Sequence, residues 1–514
     1  MAIFFLSGSL IALHRQRNNI AIWTLFICAL LVRIFMILQD PFFHDWDERF
    51  HALVARNMLD NPLSPFLIKF PIDGNHVGRW NCSHIWLHKQ PLFLWQMALI
   101  MKLFGISIWS SRLPSVIMGA IMVPMVFNIS SRLTNNKTTS WIAAAIFSFL
   151  LFQLEQISGV MGMDHNDVAF GFYILASIWA YSEYTDKNKL AFILLIGIFV
   201  GCAVLTKWLS GFLIFSGWAT NILLNTKQKE RKREILNLTI AALVAIAVFL
   251  PWQLYILNTF PAEAKIEYAL NNRHITEVIE NHGGTIFFYL DNFPAYFGEI
   301  GWIFVPAGFA VLLFQIKKNR IINKSLGISL LTCFASAYIF FSYVAMTKVI
   351  GYFFMVAPIG IILLAIALVE TKRQLAWTFN SKAVAIIFPI LVSAILVSAF
   401  NPEKLQLNHN PDNSDRINRI QNAQIYKNLK SYIPSNVKIV LNTNDYEDFT
   451  AMFYNNNLSV YSGLINKEII DSLNSNHVPF AVFEDRDKYA LPESITNSPT
   501  VFIIHKKLKP VLKY

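Results

Sequence analysis

The sequence is poor in charge and in cysteine, and each scarcity excludes a class of protein. Charged residues make up 15% of the 514 positions, hydrophobic residues make up 55%, and the mean hydropathy is +0.44. This composition is typical of a polytopic membrane protein, not of a soluble core. The four cysteines fall mostly within apolar runs, so the sequence predicts no disulfide framework. The net charge is +11, but basic residues alternate with apolar runs and form no patch, which argues against nucleic-acid binding.

The first long apolar run also lacks a small-residue cleavage site, although Arg15 and Arg17 precede it. We interpret it as a first membrane helix and not as a removable signal peptide. Hydropathy along the chain predicts a polytopic α-helical membrane protein with about eleven or more transmembrane helices. The pair at 190–206 and 209–225 has almost no connection and could be broken or re-entrant. The predicted spans are 20–38, 112–131, 138–154, 168–182, 190–206, 209–225, 236–256, 301–316, 327–346, 351–369 and 382–400.

Lysine and arginine are distributed unequally between the two sets of short loops. One set holds eighteen of them and the opposite set holds four. The positive-inside rule therefore predicts a cytoplasmic N-terminus, with the long loops 39–111 and 257–300 outside. With an odd number of spans, the C-terminal region also lies outside. The large polar insertions are thus predicted on the external face, which indicates work at the outer surface of the membrane.

Residues 401–514 are predicted to form a separate, soluble, external (periplasmic) α/β domain after a transmembrane domain at 1–400. Alternating patterns predict strands at 437–441, 458–461, 480–483 and 501–505. Helices are predicted at 417–431, 446–454 and 467–473. This segment has no glycine-rich phosphate loop and no metal-spaced cluster, so we predict a supporting role for it.

A dense group of charges directly follows the first span. Asp45 could cap a helix, Glu48 could complete a capping box, and Asp47 could merely favour the helix dipole. For Asp47 the functional interpretation is stronger, because residues 50–58 continue as an amphipathic helix. A carboxylate at the start of such a helix faces the lipid–water boundary, where an ionisable residue is usually functional.

Asp164 and Asp167 form a second acidic site, in a tight external turn. Either one could cap the next helix. They are predicted on the same face as Asp47, however, and paired carboxylates can act as a base and a charge stabiliser.

Several basic residues could bind an anion on that external face. Lys89 precedes an apolar, aromatic segment, where it could hold a phosphate or simply extend its charge to the interface. Isolated cations on an otherwise depleted side suit an anionic lipid headgroup, though any of them could be a plain flanking residue: Arg112, Lys207, Arg273 and Lys348. His84 and His88, four residues apart, could form a metal pair on a helix or be ordinary interfacial residues.

These places together resemble the lipid-dependent C-type glycosyltransferases, specifically the dolichyl-phosphate-mannose-protein mannosyltransferases and bacterial aminoarabinose transferases. The resemblance covers roughly residues 40–370 and rests on the order and sidedness of its pieces. Gln90 departs from the family's Lys-Pro-Pro, and His88 stands where aminoarabinose transferases have an acid. The matching segments are Asp47-Glu48-Arg49-Phe50-His51, 88–95, Ser111-Arg112-Leu113-Pro114-Ser115, Ser131-Arg132-Leu133, Asp164, Leu205-Thr206-Lys207, 280–290 and Lys348 to Tyr352 with Pro358.

The resemblance implies an inverting sugar transfer from a polyprenyl-phosphate sugar to an acceptor hydroxyl, on a lipid or a protein, at the external face of the bacterial inner membrane. A carboxylate would remove the hydroxyl proton while cations stabilise the phosphate leaving group. The expected catalytic residues are Asp47, Glu48, Asp164 and Asp167. The expected donor-phosphate residues are Lys89, Arg112, Lys207, Arg273, Lys348 and Tyr352. A divalent metal would be held by His88 and His282.

Two other classes of protein were considered. A transporter or flippase of lipid-linked sugars often has internal repeats and polar residues near mid-membrane. This sequence has no convincing repeat, and its candidate polar residues lie at the predicted outer boundary. A structural or assembly protein would leave the pairing of Asp47 with Asp164 unexplained.

Overall fold

A computed structural model describes residues 1–69, 71–72, 79–161, 164–378, 381–462, 467–484 and 491–512, with the backbone alone for Asp164, Ser381 and Ser494. The chain divides into two compact units. We call the first the membrane unit (Met1–Met36, Ser115–Pro261 and Tyr268–Pro402). We call the second the loop unit (Ile37–Pro114, Ala262–Glu267 and Glu403–Tyr514).

Helices dominate the described part of the chain. A 3-10 turn follows α9 at Trp208–Phe212, and a π-helix follows α16 at Phe340–Val344. The α-helices are α1 Ala2–His14, α2 Asn18–Ile37, α3 Asp47–Asn57, α4 Leu92–Phe104, α5 Ile108–Thr134, α6 Lys137–Phe149, α7 Leu151–Ser158, α8 Asp164–Lys187, α9 Leu190–Lys207, α10 Leu213–Leu224, α11 Gln228–Thr259, α12 Pro261–Thr276, α13 Phe288–Asp291, α14 Phe293–Phe297, α15 Gly301–Lys317, α16 Lys324–Ile339, α17 Ile350–Phe354, α18 Ala357–Thr378, α19 Ser381–Phe400, α20 Pro402–Asn408, α21 Ser414–Lys427, α22 Glu447–Tyr454, α23 Lys467–Ser475 and α24 Glu493–Thr496.

Each predicted span overlaps a helix, because a long apolar run satisfies its backbone hydrogen-bonding groups internally when it forms an α-helix. The number of membrane crossings stays a prediction. α6 and α7 meet at a bend of 42° and together could make a seventh crossing. Within the described residues, six helical segments are long and apolar enough to cross a membrane: Asn18–Ile37, Ile108–Thr134, Leu190–Leu224, Gln228–Thr259, Lys324–Val344 and Lys382–Asn408.

Small residues allow the helices of the membrane unit to pack closely. A Cβ at Gly308 in α15 would overlap the carbonyl of Leu363 in α18, so these two helices meet backbone to backbone. A Cβ at Gly201 in α9 would lie 2.6 Å from the Cβ of Val248 in α11. Close approach at glycine is a usual way for helices to associate in an apolar environment, where van der Waals contact replaces the hydrophobic driving force.

The loop unit contains a parallel sheet of four strands. The strands are β1 Ile439–Thr443, β2 Ser459–Ser462, β3 Phe480–Phe483 and β4 Val501–Ile504, in the order β2-β1-β3-β4. Parallel neighbours need a connecting helix, and α22, α23 and α24 supply it. On one face Leu441, Phe480 and Val482 pack with Ile470 and Leu473 of α23. The strands and helices of this segment lie within a few residues of those predicted; its solubility and external position stay predictions.

The C-terminal segment packs with another part of the chain, and a separate domain at 401–514 stays a prediction. It shares the loop unit with the first long loop. The rings of Phe50 in α3 and Phe449 in α22 have centroids 4.1 Å apart, and those of Phe43 and Phe453 are 4.8 Å apart. α3, which was predicted as an amphipathic helix, is therefore buried partly against α22.

Candidate active site

α3 begins without a capping side chain. Trp46 has φ 62° and ψ −127° and occupies the N-cap position without a side-chain cap bond. The alternative of an Asp45 cap with a Glu48 capping box is therefore wrong. Glu48 instead accepts a hydrogen bond from the backbone N–H of His44 at 2.7 Å. A bulky residue at positive φ persists only where its surroundings impose it, and such strain is common at functional sites.

Glu48 and Arg112 form a fully buried ion pair in the loop unit. Arg112 donates from Nε to Glu48 Oε1 at 2.6 Å and from Nη2 to Oε2 at 3.1 Å. Its other donors reach the carbonyls of Ile37, Asp40 and Phe42 at 2.8–3.2 Å. A guanidinium has five N–H donors, so all of them are engaged. The expected catalytic role of Glu48 and phosphate role of Arg112 remain untested, but these contacts favour a structural role.

Arginines also neutralise Asp45 on the other side of Trp46. Arg49 approaches it at 2.6 Å, and Arg419 of α21 donates to both of its carboxylate oxygens at 2.9 and 2.8 Å. Asp40 is likewise held by Arg416 of α21 at 2.8 Å. The sequence analysis did not connect these arginines with the first loop. The only sequence signal for these contacts was the amphipathic pattern of α21, which indicates a packed face but not which residues contact it.

Asp47 is paired more loosely than Asp40, Asp45 and Glu48. Its nearest charged partner among the described residues is Lys89, with Nζ 3.4 Å from Oδ2, and both side chains are about one-fifth exposed. Burial raises the pKa of Asp47, but the charges of Lys89, His51 and His88 outweigh burial, and the pKa lies below its ordinary value. Asp47 is therefore an ionised carboxylate that solvent or a substrate can reach.

His88 lies beside the same pair but does not complete a metal site. Its Nδ1 is 3.3 Å from Glu267 Oε2, and its ring stacks on Trp80 with centroids 5.0 Å apart. His282, the other expected ligand, has an exposed side chain in the membrane unit. No group of three or more His, Cys, Asp or Glu residues that could hold a metal occurs in the part of the chain described here. These residues do not fit a metal centre, and we derive no step through one.

The membrane unit has its own acid–lysine pair. Asp167, in the first turn of α8, forms an ion pair with Lys207 at the end of α9. The Lys207 ammonium also lies 4.7 Å from the centroid of the Tyr352 ring, a cation–π distance. Trp208, directly after Lys207, has φ 62°. Three expected site residues thus meet here, and a strained tryptophan adjoins the charge, as it does at Asp47.

Asp164 begins α8, but its side chain lies outside the described residues. The next residue, His165, is buried and lies with Nδ1 2.9 Å from the Ser115 hydroxyl. The sequence predicted no role for this histidine.

Lys348 and Arg273 differ from Lys207 in how they are engaged. The buried Lys348 ammonium donates to the carbonyls of Phe341, Ser342 and Ala345 at 2.8–2.9 Å, at the end of the π-helix. Burial lowers its pKa. Its three protons are all used, which favours a structural role. Arg273 forms a half-exposed pair with Glu277 at 2.8 Å. Their expected donor roles remain untested.

Comparison with known proteins supports the resemblance stated from the sequence. Residues 88–255 match the family model described as dolichyl-phosphate-mannose-protein mannosyltransferase. An undecaprenyl phosphate-alpha-4-amino-4-deoxy-L-arabinose arabinosyl transferase of Pseudomonas fluorescens is 27% identical over 40% of this chain and 35% of its own length. One of Pseudomonas paraeruginosa is 29% identical over 34% of this chain and 33% of its own length. An uncharacterized protein of Aquifex aeolicus is 25% identical over 53% of this chain and 50% of its own length.

Solved structures show the fold. ArnT from Cupriavidus metallidurans bound to undecaprenyl phosphate superposes with a TM-score of 0.61 and 16% identity, covering 88% of this chain and 87% of that one. The Archaeoglobus fulgidus oligosaccharyltransferase, in complex with Zn and sulfate, gives 0.56 and 15%, covering 85% and 62%. The chain has the fold of these glycosyltransferases, and its resemblance to the mannosyltransferase and aminoarabinose transferase family is confirmed. It spans half or less of the length of the curated relatives described above.

Proposed function

We propose that this protein is an inverting glycosyltransferase of the bacterial inner membrane. It moves a sugar from a polyprenyl-phosphate donor to an acceptor hydroxyl at the external membrane face. Asp47 takes the proton of the acceptor hydroxyl, the oxygen forms a bond to the sugar C1, and the bond between C1 and the phosphate oxygen breaks. Polyprenyl phosphate leaves with the electron pair of that bond, and inversion follows from attack opposite the leaving group.

One observation carries the assignment of the base. Arginine donates hydrogen bonds to both carboxylate oxygens of Glu48 and of Asp45, and Arg416 donates to Asp40 at 2.8 Å. The partner of Asp47, in contrast, is a lysine at 3.4 Å. A base must reach the proton it removes, so a carboxylate whose contacts are saturated is unsuited to the task. Asp47 is ionised, partly exposed and loosely paired, which suits it.

Lys89 of the loop unit and Lys207 of the membrane unit are each in a setting that suits an anionic phosphate. Lys89 and Lys207 each lie on a carboxylate and keep about one-fifth of their side chains exposed. Ammonium groups placed where negative charge develops stabilise a departing phosphate. A phosphate that binds Lys89 also weakens the electrostatic attraction between Lys89 and Asp47. The pKa of Asp47 then rises, and Asp47 becomes a stronger base once the donor is bound.

The test is transfer by purified protein from a panel of polyprenyl-phosphate sugars, with the products identified by mass. The panel includes polyprenyl-phosphate aminoarabinose and mannose, each with a lipid and a peptide acceptor. We expect one donor to yield a glycosylated acceptor and free polyprenyl phosphate. Protein that binds these donors and moves them across vesicles without making any product would instead be a flippase.

The external location is tested separately. In a variant of the protein that lacks Cys82, a cysteine replacing Asn281, in the predicted loop 257–300, should react with a membrane-impermeant thiol reagent in intact spheroplasts. A cysteine replacing the exposed Gln228, at the start of α11, should react only after lysis. Reaction of Gln228→Cys in intact spheroplasts would invert the topology and rule out transfer at the external face.

A further inference from the structure

The loop unit contains a second feature that the mechanism above does not use. A cavity of about 660 Å³ lies between the first long loop and the C-terminal α/β segment. That volume is typical of small-molecule sites, which range from about 300 to 1,000 Å³. It is lined from the first loop by Trp46 and Arg79 and from the C-terminal segment by Asp445, Tyr446, Asp448 and Phe449.

A buried and incompletely satisfied carboxylate identifies this cavity as more than a gap in packing. Asp448, in the first turn of α22, is 7% exposed, and its Oδ1 has no hydrogen-bond partner among the described residues. An unsatisfied buried polar atom costs about 1–3 kcal/mol, so it is retained where something supplies the missing partner. A ligand that enters the cavity can supply that partner.

The ionisation of Asp448 suits exchange of hydrogen bonds with hydroxyl groups. Its pKa is raised to about 7, chiefly by burial; the backbone N–H of Phe449 and the charge of Arg49 oppose this rise, and the charge of Asp445 contributes to it. Near neutral pH its carboxyl group is therefore present in both forms. One form accepts hydrogen bonds only, and the other can also donate one.

Aromatic rings form the other half of the lining. The rings of Trp46 and Tyr446 lie with centroids 5.2 Å apart, and both residues have positive φ, 62° and 59°. Strain of this kind at two bulky residues is retained where their placement matters. Flat apolar rings beside hydrogen-bonding groups match a saccharide, whose C–H faces pack on rings while its hydroxyls seek polar partners.

The charge of the lining narrows the class of saccharide. Asp45 also borders the cavity, but Arg49 and Arg419 neutralise it. Asp445, Asp448 and Arg79 also line the cavity. The unsatisfied Oδ1 of Asp448 calls for a hydrogen-bond donor, and the group repels an acid whenever it is ionised. Like charges disfavour an acidic ligand, so rings carrying hydroxyl or amino groups are preferred over those carrying carboxylates.

We propose that this cavity is a saccharide-binding site, distinct from the donor-phosphate lysines, for a ring bearing hydroxyl or amino groups and no acid. Trp46 is in the wall of the cavity and directly precedes Asp47, so a bound saccharide lies beside the turn that carries the proposed base. That this saccharide belongs to the acceptor rests on the proposed function. The binding itself does not.

Cys82 gives a probe at the site, since it also lines the cavity and is a partly exposed thiol that forms no disulfide. Cys28 and Cys333 are buried, so a Cys202→Ser background leaves Cys82 as the accessible thiol. The experiment measures how fast a methanethiosulfonate reagent modifies Cys82 in purified full-length protein at neutral pH. The probes are methyl mannoside, glucosamine and glucuronate at equal concentration, with glycerol as the control for polyol effects.

We expect methyl mannoside or glucosamine to slow the modification at least threefold, and glucuronate and glycerol to leave it unchanged. Asp448→Asn should lose most of this protection. Asp445→Asn, at a half-buried wall position, should lose part of it. Asp471→Asn, an exposed acid on α23, should keep all of it.

Equal rates with every sugar, or full protection in folded Asp448→Asn and Asp445→Asn, would overturn the inference. Because no donor is present, protection can be observed even if the protein transfers no sugar, in which case only the proposed function fails. Protein that transfers sugar while Cys82 stays unprotected would retain the function and lose the inference.

Discussion

The starts of α3 and α8 each carry an aspartate–lysine ion pair, and the two pairs differ in how closely the charges approach and in how exposed the aspartate is. Each places an aspartate in the first turn of a helix, and each brings a lysine from a distant segment onto it: Lys89 onto Asp47, and Lys207 onto Asp167. At α3 the two charges are 3.4 Å apart and both are about one-fifth exposed. At α8 the aspartate is 5% exposed and the contact is closer. The looser pair can exchange its partner for a substrate.

This comparison separates two uses of an ion pair. A tight, buried pair fixes a side chain, because separating it leaves an uncompensated charge. A loose, partly exposed pair keeps a carboxylate ionised without consuming it. Under the proposed function, the α3 pair would therefore serve proton removal, and the α8 pair would position Lys207 for the donor phosphate.

The largest expected effect breaks the comparison at α3. Asp47→Asn keeps the size and hydrogen-bonding ability of the side chain but removes the charge that accepts a proton. We expect kcat to fall by about 10²–10⁴-fold, the usual contribution of a general base, with little change in donor binding. The measurement is single-turnover transfer in membranes, with thermal unfolding as the check on folding.

Glu48→Gln is the matched variant one residue away. Because Glu48 holds the buried Arg112, we expect it to lower stability by about 3–5 kcal/mol and not to act on a proton-transfer step. Wild-type rates in Asp47→Asn would end the assignment of Asp47 as the base.

The second prediction concerns lysines in the membrane unit. Lys207→Met should weaken binding of a polyprenyl-phosphate sugar by about 10–100-fold, since hydrogen bonds to charged groups contribute about 1.5–3 kcal/mol. A neutral lipid analogue should bind the variant and the parent equally. Lys348→Met is the comparison, because its ammonium is used by three carbonyls. Lys348→Met should lower the unfolding temperature and leave donor affinity nearly unchanged. If Lys348→Met weakened donor binding and Lys207→Met lowered only the unfolding temperature, the donor-binding and structural roles of the two lysines would be exchanged.

The third prediction uses pH to sharpen the α3 pair. Lys89 lowers the pKa of Asp47, so Lys89→Met should raise it. The ionised base would then be lost at higher pH, and the acidic limb of the kcat/KM profile should move upward. A limb that stays in place, or moves toward lower pH, would show that the two charges are not coupled during catalysis.

The sequence predicted positions better than partners. Apolar runs locate the helices, and alternation locates the four strands, because both signals are local. It also predicted Asp47, Lys207 and Tyr352 as site residues; the structure brings Lys207 beside Tyr352, and the roles of all three stay predictions. It could not show that Glu48 and Arg112, 64 residues apart, neutralise each other, since that depends on how the chain folds back on itself. The same limit hid Asp448, whose significance comes from a cavity formed with the distant Trp46.

The smallest expected effect is at Arg273, which the sequence placed among the donor cations. Its pair with Glu277 is half exposed on both sides, and exposed pairs contribute about 0–1 kcal/mol. We expect Arg273→Met to change donor affinity less than twofold, measured beside Lys207→Met in the same binding assay. A loss of tenfold or more would show that an exposed cation reaches the phosphate when the donor is bound. Contacts in the unliganded protein would then be a poor guide to which cations serve the donor, and the contrast between tight and loose pairs would no longer assign their roles.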